Sequence, residues 1–144
     1  MYQTLFSVHS FIAYAALGLL VLASINAIAG LTSKKLFTSK DRSISLIALI
    51  VCHIQLLAGL VLFFVSDKGF KAFAIEGAMK NPELRLTMLE HPLINIIALV
   101  FITIGWSKHK KEESNNGKFK KIAVLYSIGL ILILSRLPWA SWLN

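Results

Sequence analysis

Four long apolar blocks, at about residues 5–31, 43–66, 84–106 and 122–142, alternate with short charged connections along the chain. At about 1.5 Å rise per residue, a block of roughly 20 residues covers the ~30 Å hydrocarbon core of a bilayer. The pattern therefore predicts an all-α fold, a four-helix transmembrane bundle running up-down-up-down within a single domain. A barrel is excluded, because backbone crossing lipid needs either helices or a closed sheet of about eight or more strands with alternating polarity.

Helical spacing sorts each block into faces. From His9, steps of three and four reach Ala13, Ala16, Leu20, Ala23, Ala27 and Gly30, a stripe of mostly small residues that lets a neighbouring helix approach or leaves room for a flat cofactor. In the second block, His53 shares a bulky aliphatic face with Leu46, Leu49, Ile50, Leu57, Leu60 and Phe64. The other face, Ala48, Cys52, Gln55, Gly59 and Ser66, reads as a close helix seam, with Gln55 bonding across it. Asn81, Pro82 and Glu83 form a helix start, so Pro92 falls inside the third helix and kinks it unless the helix begins afresh there. From His91 the stripe continues through Asn95, Ala98, Ile102 and Gly105. The last block carries Arg136 behind Leu125, Gly129 and Leu132.

Composition agrees: of 144 residues, 56% are hydrophobic and 15% charged, and the mean hydropathy is +0.71. These values belong to an integral membrane protein. The opening MYQTLF lacks a basic n-region and is not read as a removable signal peptide. Cys52, the single cysteine, is assigned to packing.

The net charge of +8 is unevenly placed. Lys34, Lys35, Lys40 and Arg42 lie in the first connection, and Lys108, Lys110, Lys111, Lys118, Lys120 and Lys121 in the third. Lys68, Lys71, Lys80 and Arg85 in the second are balanced by Asp67, Glu76, Glu83 and Glu90. Ten cations against four set the first and third connections in the cytoplasm and both termini outside. The basic loops are assigned to topology and contact with anionic lipid, not to nucleic acid.

The remaining chemistry rests on histidines. An ionisable group at membrane depth marks a functional site by default. Two neutral imidazoles on facing helices suit a six-coordinate b-type haem, and any two of His9, His53 and His91 satisfy that requirement. Arg136 either snorkels to the outer interface beside Trp139 and Trp142 or faces inward to neutralise haem propionates. Convergence of all three histidines on one zinc or copper ion is an alternative, as is a proton relay with Glu90 and His91 at the mouth and His53 below. His109 is assigned to the solvated surface with no role. No nucleophile with a base, phosphate loop or substrate cleft motif is present, so independent enzymatic turnover is not expected. A haem-free structural or assembly protein is the further alternative.

Several short motifs resemble a family of small bacterial four-helix membrane proteins labelled cytochrome-b-like. They are Met1-Tyr2 leading to His9-Ser10, the run from Phe37 to Arg42, His53 followed by Leu56 to Leu60, Met79-Lys80, Glu90-His91, Ile104-Gly105 and Pro138-Trp139. The plan is also similar to half of a haem A synthase, although that enzyme's acid-histidine-arginine motif within a span is not found. The resemblance implies haem b, a bacterial inner membrane location, and electron transfer or service as a subunit of a respiratory assembly. It also implies quinone or other respiratory subunits as partners, with homo-oligomer formation as a further option.

Overall fold

A computed structural model describes residues 1–143, and they are almost entirely helical. The long helices are α1 (Tyr2–Ser33), α2 (Ser39–Val65), α3 (Pro82–Lys111) and α4 (Asn115–Ser135). A short terminal turn, Trp139–Trp142, follows. Three of them, α1, α2 and α3, are long and apolar enough to cross a membrane. In α4 the lysines at 118, 120 and 121 occupy the first two turns.

The boundaries follow from local chemistry. Thr38 caps α2 in a reciprocal capping box with Asp41, so the helix starts four residues before the apolar block at Ser43. Asn81 caps α3 by accepting from the N–H groups of Glu83 and Leu84, with Pro82 in the first turn. The fourth apolar block does not form one helix: α4 stops at Ser135, three residues before Pro138, because the residue preceding a proline is driven out of the helical region.

Pro92 is accommodated without a break. Immediately before it, Leu86–Glu90 forms a wider π turn in which the His91 N–H reaches back five residues to the Leu86 carbonyl. Regular helix then runs from His91 to Lys111.

The helices pack in a ring, α1 on α2, α2 on α3, α3 on α4 and α4 on α1, which sets α1 opposite α3. The small-residue stripes face inward as their spacing suggested: Ala16, Leu20, Ala23, Ala27 and Gly30 are buried on α1, and Ala98, Ile102 and Gly105 on α3. Ser45, Ala48, Leu49 and Cys52 are buried on α2. Tyr126 of α4 crosses this core and donates its hydroxyl to the Ser45 carbonyl at 2.8 Å. On its other sides α4 makes close contacts at glycines: a Cβ added at Gly129 would lie 2.5 Å from Ile102, and one at Gly30 would meet the Phe119 ring.

The two short connections meet at one end, where the Phe37 N–H bonds to the Asn115 side chain at 2.9 Å. Both termini and the 66–81 connection lie at the other, where Trp142 bonds to Ser10. Two 3₁₀ turns of that connection, Phe70–Ala74 and Ala78–Lys80, pack Ala72 and Ala78 onto Met88.

His109 is a correction to the surface assignment. The third helix runs on past Trp106 for more than a turn, so His109 is buried to 1% exposure, stacked between Trp106 and Phe37 with its Nδ1 against the Trp106 carbonyl. Hydropathy assigned the segment to a loop because of its lysines, whose stems extend outward while the histidine points in.

Candidate functional site

At the end that holds the termini, the four helices enclose a cavity of about 430 Å³. That lies within the range of about 300–1,000 Å³ for small-molecule and cofactor sites. Its walls are predominantly apolar, with Leu20, Leu56 and Leu99 among them, and Gln55, Lys68 and Asn95 are among its polar groups. Both His9 and His91 line it.

His9 heads the small-residue stripe of α1 and reaches the cavity over Gly59 of α2, where an added Cβ would come 3.0 Å from the His9 Cε1 atom. Glycine at that position is what makes room for the ring. One turn earlier, Gln55 donates through Nε2 to the His9 backbone carbonyl at 2.9 Å, fixing α1 against α2.

His91 begins the regular part of α3. Its Nδ1 lies 3.0 Å from the backbone carbonyl of Arg136. That carbonyl is available because α4 has ended, and terminal carbonyls lack partners within their own helix. The same nitrogen lies 3.1 Å from the Asn95 amide nitrogen, so it sits between an acceptor and a donor. The Asn95 amide also donates to the His91 carbonyl one turn on.

Across the cavity the two rings face each other with centroids 6.3 Å apart and planes inclined by 83°. Two imidazoles on opposite sides of one metal, each with a metal–nitrogen bond of about 2.0 Å, have a centroid separation of this size. Two buried polar atoms here have no partner in the protein, His9 Nδ1 and Gln55 Oε1. Unsatisfied polar atoms are rare in folded interiors, and a pair of them beside a cavity marks a place for a ligand.

Arg136 stands past the end of α4, not within a span, and is exposed. Its guanidinium lies 3.7 Å from Glu90, whose other oxygen accepts from Arg85 at 2.9 Å. Two arginines thus bracket one carboxylate beside His91. The structure therefore brings His9, His91 and Arg136 to one end, Arg136 through its carbonyl as much as its charge.

His53 is not among them. It is exposed on the outer side of α2, where its Nδ1 bonds to the Leu49 carbonyl of its own helix at 2.9 Å. Of the bulky aliphatic face it belongs to, Ile50, Leu57 and Phe64 are exposed while Leu49 is buried, because the helices meet mainly on the small-residue side. Among the described residues, no three His, Cys, Asp or Glu side chains come together as a metal-holding group. The tri-histidine zinc or copper centre and the relay through His53 lose their geometric basis.

One wall was not anticipated from the sequence. After α4, Leu137 is buried and Pro138, Ser141 and Trp142 line the cavity, held by the Trp142 indole N–H donating to the Ser10 hydroxyl at 2.7 Å and by Trp142 packing on Tyr14. The signal was Pro138, which cuts the last apolar block in two.

Comparison with protein-family models, curated proteins and solved structures finds no match to this chain.

Proposed function

We propose that this chain is a membrane-embedded b-type haem protein, a four-helix bundle whose basic end faces the cytoplasm and whose termini and cavity face outward. The single observation that carries this reading is the His9–His91 pair, opposed across a cavity on diagonal helices with ring centroids 6.3 Å apart. His9 and His91 would hold the iron, and the aliphatic walls would receive the macrocycle. The Arg136 carbonyl beside the His91 Nδ1 would give the ring the outer support usual for ligating imidazoles, and with the proton on Nδ1 the Nε2 is left as donor. Lys68, which lines the cavity, and Arg136, whose backbone carbonyl meets His91, supply cationic groups at this end for anionic substituents. When bound, haem b supplies reversible one-electron chemistry.

The ten cations of the two short connections support the inward placement of that end by the positive-inside rule. The resemblance to cytochrome-b-like proteins favours a bacterial inner membrane and electron transfer with a quinone or with other respiratory subunits. The purified protein should show a reduced-minus-oxidised spectrum of the b type. A colourless preparation from haem-sufficient cells that takes up no haem on reconstitution would overturn the reading and favour a haem-free assembly protein.

A further inference from the structure

The end opposite the cavity carries a second feature that the haem reading does not use. Four aromatic rings stack there in sequence: Trp106 on His109 at 4.5 Å, His109 on Phe37 at 5.4 Å, and Phe37 on Phe119 at 4.9 Å. Four cations rim this stack. Arg42 and Lys110 lie 5.1 and 5.7 Å from the centre of the Trp106 ring, Lys118 lies 6.0 Å from Phe37, and Lys35 lies 5.6 Å from Phe119.

The acids of this end do not match the cations. Asp41 is buried and engaged by Lys35 at 3.0 Å, Glu112 faces Lys121 at 3.8 Å, and Glu113 is the only other acid there. Arg42 and Lys110 have no ion-pair partner among the described residues. They come from the start of α2 and the end of α3, so the Trp106 ring and its two cations bridge that helix seam. Beside them, Leu36 projects from the first connection at 69% exposure, an apolar residue at the tip of a basic loop.

We propose that Arg42, Lys110 and Trp106 form a binding site for the phosphate of an anionic phospholipid. The inference rests on the membrane placement above. Two cations held over one indole present a localised positive field at the depth where aromatic rings and headgroups meet. The same two helices carry outward aliphatic residues, Ile47 and Ile104 among them, that would lie against acyl chains. Leu36 enters the same interface from the loop. A membrane fits this combination better than RNA does, because the exposed apolar tip and the outward aliphatic residues of the same helices contribute nothing to a polyanion in water.

The test uses the full chain inserted in phosphatidylcholine vesicles containing a minor fraction of phosphatidylglycerol, followed by mass spectrometry of the lipid that stays bound on gentle detergent extraction. Wild type should retain phosphatidylglycerol selectively, and the R42Q/K110Q double variant should lose about tenfold or more of that preference. K34Q/K40Q, which removes the same charge elsewhere in the first connection, should keep it, as should R42K. Equal loss in both double variants, or equal retention of the two lipids by wild type, overturns the site while leaving insertion intact. Failure to insert even into neutral vesicles overturns the membrane reading itself. A single-stranded RNA bound by wild type and lost in R42Q/K110Q, with lipid retention unchanged between them, would assign these residues to a polyanion instead.

Discussion

His91 and Arg136 are joined through a ring nitrogen and a backbone carbonyl 3.0 Å apart, so the imidazole on α3 is aimed by the place where α4 ends. The termination depends on Pro138. In P138A, α4 is free to continue and to draw the Arg136 carbonyl into its own ladder, releasing His91. Haem affinity should fall about 10- to 100-fold, the usual cost of losing the support of a ligating histidine, with the helical content kept or slightly raised. Haem titration alongside circular dichroism measures both; unchanged affinity would show that the carbonyl does not orient the ring.

The three membrane histidines should separate cleanly. H9A and H91A are each expected to abolish the low-spin spectrum, and H53A, on the outer face with only its own helix as partner, to leave it as in wild type. Loss of the spectrum in H53A but not in H9A would reverse the ligand assignment.

Gly59 tests the space beneath His9. An alanine Cβ would sit 3.0 Å from the ring, a contact relieved by a shift of a few tenths of an ångström, whereas leucine would occupy the ring's place. G59A should bind haem more weakly and G59L not at all, while both still insert and fold; equal binding by G59L and wild type would place His9 elsewhere.

At the basic end, the buried Asp41 carboxylate accepts from the Thr38 N–H at 2.9 Å, the Asn26 amide at 3.0 Å and the Lys35 ammonium at 3.0 Å. D41A removes the acid of the capping box and takes the acceptor from four donors, the Thr38 N–H and hydroxyl, the Asn26 amide and the Lys35 ammonium, an expected cost of about 2–4 kcal/mol. N26A removes one bond from an acceptor that retains others and should cost about 1 kcal/mol. Thermal unfolding in detergent ranks the two, and the inverse order would contradict the network.

Gly129 lies against Ile102 and, at 3.0 Å for an added Cβ, the Ala98 backbone carbonyl, which cannot rotate away. G129A should therefore destabilise by about 1–3 kcal/mol through separation of α3 from α4. G18A, with open space at that position, should be close to neutral.

Helix faces were the most legible part of this sequence, and the reason is specific. Small residues at helical spacing mark where backbones meet, so Ala16 to Gly30, Ala48 and Cys52, and Ala98 to Gly105 could be read directly as interior. Bulk gave no comparable guidance. An aliphatic residue against lipid and one against a core look alike, which is why His53 seemed central until the packing of α2 turned its face outward. His109 hid in the opposite way, as an inward group among outward lysines. The pairing of His9 with His91 was accessible from topology, since helices one and three of an alternating set are diagonal. The role of the Arg136 carbonyl was not, because backbone atoms carry no signature in composition. The Thr38 to Asp41 capping box was readable and shows that a helix start can precede its apolar block.

The π turn at Leu86–Glu90 has a bearing on how α3 serves two neighbours. A regular helix advances about 100° per residue, and one extra residue in a single turn offsets the faces before and after it by that amount. Met88 can therefore seal the small outer cluster while Ala98, Ile102 and Gly105 stay aligned with the core. The turn acts as a phase shifter between two gears. Deleting any one residue from 86–90 would leave the helix continuous and its hydrophobicity intact, yet swing the outer segment out of mesh with everything below it.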